Sequence, residues 1–206
     1  MSPVQRGARR ITPAETESLL GCLPQALAGD TGATRTLLNA VAPDVARVAR
    51  AVLGAGAADL DDVIQEALLG LMHALPSFRG DCSLRRFANR IAVRAALHAR
   101  RRAGRRDERL AEFALLGEPD APEAPDAQWR SEQRRTLLRE LLDELPEPQA
   151  ETLALRVMLG FSLEETAAAT GVPVNTVRSR VRLAREALRT RIEASRALRE
   201  LFGVER

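Results

Sequence analysis

The chain contains no lysine and no tyrosine, a single tryptophan, and only 3% aromatic residues in 206. Val and Ile never alternate with polar residues over a strand's length, so the usual signals of a sheet are missing. Apolar residues recur instead at helical spacing, and the sequence predicts an all-α fold. No apolar run reaches the ~18 residues that a membrane span needs. Met1 to Arg10 carries arginines with no hydrophobic stretch behind them, so no secretory signal is read there. Two cysteines, Cys22 and Cys82, lie far apart without CxxC spacing, which excludes a disulfide framework and a zinc finger. These absences point to a reducing cytoplasm. His73 and His98 are isolated, no nucleophile stands beside a base at readable spacing, and no glycine-rich phosphate loop occurs. A catalytic function has no foothold here, and nothing calls for a cofactor or a metal.

What the chain has in abundance is arginine. All 31 basic residues are Arg, set against 28 acids for a net charge of +3 and a pI of about 9.9. A lysine-free, Arg- and Ala-rich composition suits a GC-rich genome, but composition does not explain the distribution. From Arg85 to Arg106 there are nine Arg and no acid; from Asp107 to Gln128 there are seven acids and one Arg. From Val174 to Arg196 seven Arg face two Glu. Two basic stripes therefore flank an acidic segment. One stripe alone reads as a solvated helix face; two on helices are the electrostatic footprint of a nucleic-acid binder.

Proline, glycine and charge divide the chain into a tail (1–12), a first helical domain (13–106), a linker (107–128) and a second helical domain (129–206). In the first domain Thr12 and Glu15 have capping-box spacing, with Pro13 suited to the first helical position. Residues 32–53 predict a helix bent or split at Pro43. After a small-residue turn, Asp59 is placed to cap a helix reaching about Leu75, with Asp61 and Asp62 in its first turn. Ser83 opens the last helix, with Leu84, Phe87, Ala88, Ile91 and Ala95 inside and Arg86, Arg90, Arg94 and Arg101 on an opposite face.

The linker's core, GEPDAPEAPDA, holds three Pro and four acids and reads as a flexible connection. Stretched, residues 107–128 span at most about 70–80 Å, roughly two turns of B-DNA at ~34–36 Å each. One chain can thus serve two well-separated DNA sites.

In the second domain Leu137, Leu138, Leu141, Leu142 and Leu145 predict an amphipathic helix ended by Pro146 and Pro148, followed by a short helix over 149–159. Ser162 and Glu165 form a capping box, Gly171 a turn, and Pro173 starts a helix running to about Ile192. Val177, Val181, Ala184 and Leu188 make its inner stripe. Asn175, Arg178, Ser179, Arg182 and Arg185 make its outer face. Short helix, glycine turn and long helix form a helix-turn-helix, whose second helix enters the major groove with Arg suited to guanine and Asn to adenine.

Together the two blocks resemble the extracytoplasmic-function sigma factors of bacterial RNA polymerase. DDVIQEALLGLMHALPSFRGDCSLRRFANRIAVRAALHARRR (61–102) is similar to that family's second conserved region. LPEPQAETLALRVMLGFSLEETAAATGVPVNTVRSRVRLARE (145–186) is similar to its fourth. The resemblance implies core RNA polymerase and promoter DNA as partners, commonly with an inhibitory anti-sigma protein.

It also implies residue roles. Asp61, Asp62, Gln65, Glu66 and Leu69 match the helix that grips the polymerase clamp, a face that Met72 extends. Ser77, Phe78, Arg79 and Asp81 match the loop that captures a base flipped from the minus-ten element, and Arg86, Asn89, Arg90 and Arg94 the helix beside it. Asn89 stands where tyrosine is common and Arg94 where asparagine is common, which implies weaker stacking on bases. Asn175, Thr176, Arg178, Ser179, Arg182 and Arg185 match the minus-thirty-five reader. Glu118, Asp120, Glu123 and Asp126 read as a solubilising spacer or as phosphate mimics in the polymerase channel. A helix-turn-helix regulator independent of polymerase, and an adaptor that binds polymerase without DNA, are the competing readings. The first lacks a sensor domain, and the second leaves Arg178 and Arg182 unexplained.

Overall fold

A computed structural model describes residues 21–54, 56–111, 138–140, 142–194 and 199, and every regular element among them is a helix. The capping box expected at Thr12 and Glu15 and the core of the acidic linker lie outside the described residues. Among the described residues no helix is long and apolar enough to cross a membrane.

Helix α1 spans Thr31–Leu53. Asp30 caps it, its Oδ1 accepting from the Ala33 amide at 2.6 Å. Pro43 lies inside this one helix, which is not split. An interior proline costs about 3 kcal/mol. Full burial of a Leu or Val side chain returns about 1.5–3 kcal/mol, and Leu37, Val41, Val45, Val48 and Val52 are all fully buried along one stripe. Packing therefore outweighs the lost hydrogen bond.

Helix α2 spans Leu60–Ala74. Asp59 stands at its N-cap, yet its side chain makes no capping hydrogen bond; the acids of the first turn are Asp61 and Asp62, which face the positive end of the helix dipole. A 3₁₀ turn, Leu75–Ser77, closes it. Helix α3 spans Leu84–Ala111, continuing five residues past the expected start of the linker. The residues there, DERLA, are mostly good helix formers with no Pro or Gly. Helices α1, α2 and α3 pack on one another pairwise. Helices α2 and α3 pass close at Gly70, where a Cβ would sit 3.4 Å from Cγ2 of Ile91, about an ordinary van der Waals contact.

In the C-terminal half residues 138–140 and 142–143 are helical; Pro146 then serves as the N-cap, and Pro148 lies within the first turn, of helix α4, Glu147–Leu153. Pro148 thus opens this helix rather than ending the one before it, as suits a residue without an amide hydrogen. The chain then widens into a π turn, Ala154–Met158. Helix α5, Leu163–Thr170, carries the expected capping box: Ser162 Oγ accepts from the Glu165 amide at 3.0 Å, and Glu165 Oε2 accepts from the Ser162 amide at 2.9 Å. Gly171 follows in the left-handed conformation at φ 67°, and helix α6 spans Val174–Ala194. Ala167, Val177 and Val181 form a small core inside this helix-turn-helix.

The two halves share a larger core. Leu142, Leu145, Ala150, Leu153 and Leu155 belong to the same buried cluster as Leu37, Leu71, Val93 and Leu97. Arg139 docks on the far end of α1, its Nε donating to the Ala51 carbonyl at 3.0 Å. The helical halves are thus packed against each other across the linker.

The turn of the helix-turn-helix gives a direct test. A Cβ on Gly171 would meet nothing within 4 Å, so any penalty there is backbone strain alone. Gly171→Ala is expected to lower stability by about 1–2 kcal/mol, and Gly171→Asn by less, because Asn tolerates the left-handed region better. Urea unfolding monitored by circular dichroism measures both; equal losses for the two variants would contradict the strain account.

Candidate polymerase and nucleic-acid interfaces

Three surfaces carry the residues singled out by the sequence. The first is the outer face of α2. Val63, Ala67 and Leu71 turn inward and are buried, which at helical spacing leaves positions 62, 65, 66, 69, 72 and 73 together outside. Asp61, Asp62, Gln65 and Glu66 are exposed there. Leu69 and Met72 are exposed beside them, at 50% and 40%. Asp62, Gln65, Glu66, Leu69, Gly70 and His73 line a shallow cleft of about 400 Å³. Glu66 is bound from α3 by Arg102 at 2.9 Å. Acids around two large exposed apolar side chains make a face suited to a partner with a basic rim and an apolar centre.

The second surface is the loop between α2 and α3 together with the outer side of α3. Ser77, Arg79 and Asp81 are exposed, with Ser77 Oγ donating to the Ala74 carbonyl at 2.7 Å. Phe78 and Phe87 are half-buried and pack on each other, ring centres 5.2 Å apart and planes tilted by 54°. They anchor the loop to the core rather than offering a free stacking platform. Asn89 departs from expectation. It is only 6% exposed, and its Oδ1 has no hydrogen-bond partner. It sits on α3 between the fully buried Ala88 and Val93, so the packing that seats the helix also encloses the amide. In this arrangement Asn89 cannot contact DNA.

The arginines of α3 are occupied. Arg86 pairs with Glu165 and lies over the Phe161 ring, 5.7 Å from its centre. Arg90 Nε meets Glu151 Oε1 at 2.9 Å. Arg94 and Arg101 both reach Glu147, at 3.9 and 3.3 Å. Arg100 grips Asp143 with two nitrogens, Nε at 3.1 Å and Nη2 at 2.6 Å, the fork geometry that makes the stronger guanidinium–carboxylate pairs. All four acids, Glu165, Glu151, Glu147 and Asp143, come from the C-terminal half. Sequence reasoning missed them as partners, although a signal was present. Glu147 and Glu151 are four residues apart, as are Arg86, Arg90 and Arg94, so each set forms a stripe along its helix.

The third surface is the outer face of α6. Val177, Val181 and Ala184 are buried, while Asn175, Arg178, Ser179, Arg182 and Arg185 are exposed and Thr176 is half-buried. Arg178 Nη1 donates to Asn175 Oδ1 at 3.0 Å, and Arg182 pairs with Glu186 at 2.8 Å. Both contacts are exposed and local, worth a fraction of a kcal/mol each, so either arginine is free to exchange its partner for a base edge or a phosphate. Among the described residues no group of three or more His, Cys, Asp or Glu could hold a metal ion.

Comparison with known proteins matches residues 37–106 to Sigma-70 region 2 and residues 135–188 to Sigma-70, region 4. The chain is 35% identical over 192 residues to the ECF RNA polymerase sigma factor SigD of Mycobacterium tuberculosis, covering 90% of each chain. It is 37% identical over 142 residues to the ECF RNA polymerase sigma-E factor of Escherichia coli, covering 66% of this chain and 74% of that one. Among solved structures it is similar to CnrH in complex with the cytosolic domain of CnrY. That similarity has a TM-score of 0.50 at 25% identity, and covers 84% of this chain and 96% of that one.

Cys82 closes the loop between α2 and α3 and reports on its surroundings. Burial pushes its thiol up from the ordinary range; Arg86 pulls it down, Asp81 pushes it up and Arg90 pulls it down, each by less than burial does. A raised pKa means less thiolate at a given pH. In a Cys22→Ser chain, the rate of iodoacetamide labelling should rise with pH along a profile displaced upward from that of the urea-unfolded chain. Superimposable profiles, read by mass spectrometry, would remove this assignment.

Proposed function

Because the chain belongs to the extracytoplasmic-function sigma factors of RNA polymerase, we propose that it directs promoter recognition through the three surfaces described above. Core polymerase binds the outer face of α2, with Asp61, Asp62, Gln65 and Glu66 on basic groups and Leu69 and Met72 supplying apolar area. Ser77, Arg79 and Asp81 take the flipped base of the minus-ten element on a loop that Phe78 anchors, and Arg86, Arg90 and Arg94 hold its phosphates. Asn89 contributes only after a rearrangement that exposes it. Asn175, Thr176, Arg178, Ser179, Arg182 and Arg185 meet the minus-thirty-five element. The observation that carries this reading is the pairing of regions 2 and 4, in that order, with an exposed acidic-apolar face on the first and an exposed arginine face on the second.

The chemistry of RNA synthesis stays with the polymerase. Sigma factors are not catalytic, and the chain's part is to bind, to orient and to hold DNA strands apart. Its place of action is the cytoplasm, where the polymerase and the promoters are. The structure of CnrH, a complex with the cytosolic domain of CnrY, supports an anti-sigma protein as a further partner.

Reconstituted transcription with core polymerase, with and without the chain, tests the function. Asp62→Ala with Gln65→Ala should weaken core capture while leaving the circular-dichroism spectrum unchanged. Arg178→Ala should cost holoenzyme about 1–3 kcal/mol of promoter affinity and relax preference at one base pair of the minus-thirty-five element, whereas Arg185→Ala should weaken all sequences alike and lower the salt slope by about one. Intact affinity and base preference in the Arg178 variant would mean that the recognition face is misplaced around the axis of α6.

A further inference from the structure

Among the polar side chains on the outer face of α6 stands one large apolar one. Leu183 is 40% exposed, and it packs into neither apolar cluster of the described residues. Val177, Val181 and Ala184 already complete the inner stripe of this helix and are buried. Asn175, Ser179 and Leu183 follow one another at four-residue spacing, so they form a single row along the outer face. Arg178 and Arg182 form the row beside it. All five side chains are exposed.

The neighbours of Leu183 decide what can cover it. The centre of a protein-binding patch is depleted in charge. Leu183 instead adjoins Arg182, with Arg180 one turn before it and Glu186 one turn after. Arg182 is itself well exposed, its side chain at 64%. This is a face made for phosphates and base edges. In the major groove the apolar group that a base offers is the C5-methyl of thymine, and an aliphatic side chain packs on it. Four helical residues advance the row by about 6 Å, close to two base-pair steps at ~3.4 Å each. Leu183 therefore falls about two base pairs beyond the one that Ser179 faces.

From this placement we propose that Leu183 is a specificity residue of the minus-thirty-five reader, its isobutyl group packing on a thymine methyl in the major groove. The inference rests on the assignment of α6 to the minus-thirty-five element. It adds an apolar contact to a readout otherwise made of hydrogen bonds and charge. The contact favours thymine over the bases that carry no methyl, and mobile ions do not screen it.

The experiment uses holoenzyme reconstituted from core polymerase and the full chain. The preferred minus-thirty-five element is first selected from randomised promoter duplexes. Each thymine of that element, on either strand, is then replaced in turn by uracil, which lacks only the methyl. Affinity is read by fluorescence anisotropy of the labelled duplex. Burial of one methyl corresponds to about a fourfold change in affinity, so the wild-type chain should lose about that much at one thymine and little at the others. Leu183→Ala holoenzyme should bind the thymine duplex at least about fourfold more weakly and lose nothing further with uracil at that position. Its salt slope should stay unchanged, since no phosphate contact is removed. Equal affinity for thymine and uracil at every position overturns the proposal, as does a uracil penalty that persists in the Leu183→Ala chain. A selected element without an A·T pair overturns it as well. The uracil scan of the wild-type chain needs no variant, so misfolding of a substituted chain does not blur the result. Arg178→Ala holoenzyme separates the two levels of the claim. Relaxed base preference in that variant beside a flat uracil scan sinks the role of Leu183 alone; a silent Arg178→Ala would sink the placement of the α6 face with it.

Discussion

A carboxylate taken almost out of water has to keep a cation beside it, and in this fold that requirement falls on Glu151 and Arg90. The cation comes from α3, the carboxylate from α4, and the contact fixes the seam between the halves. On its other side α3 is seated on α1 and α2 through Ala88, Ala92, Ala96 and Ala99, all fully buried. Small side chains let the three helices approach closely, so the long helix is held rigidly along one side while it presents arginine along the other. The position of the C-terminal half, and with it the direction in which the α6 arginines face, follows from that single helix.

What the sequence discloses about this fold is what local physics decides. The capping box of Ser162 and Glu165 and the left-handed turn at Gly171 depend on residues within one helical turn of each other, and both stand as expected. The inner stripes of α2 and α6 follow from periodicity alone. The departures come where a distant partner takes over. Pro43 fails to split α1 because buried side chains on neighbouring helices favour continuity. Asp59 stands at a cap position without capping, its backbone at φ −97° and ψ 14° being outside the extended conformation from which a side chain caps the first turn. Asn89 looks like a surface residue next to arginines, but the side of α3 that carries it is closed. The arginine stripe was legible as a stripe, and Glu147 and Glu151 as another; what no local rule supplied was their pairing across the 61 residues that separate Arg90 from Glu151.

The chain treats its apolar side chains in two ways. Val93 and Leu97 are covered by the molecule itself, whereas Leu69 and Met72 are left to water among acids. A small monomer gains nothing from displaying Leu and Met on a helix that already has a full inner stripe. The same economy appears in the arginines. Those of α6 make short-range contacts that are easily exchanged, and those of α3 make long-range contacts that are not. The outer face of α2 is uncovered in this packing, while the arginine face of α3 meets the acids of the C-terminal half.

In every ion pair of the seam the cation is a guanidinium. Arginine keeps its proton throughout the range of pH in which proteins stay folded. A chain without lysine also gives acetylating enzymes no side-chain ammonium to neutralise. Acetylation and alkaline deprotonation, the usual ways of erasing positive charge, therefore have no purchase on this contact. What remains is salt, whose mobile ions screen the exposed Glu147 pairs and reach the nearly dry Glu151–Arg90 pair far less.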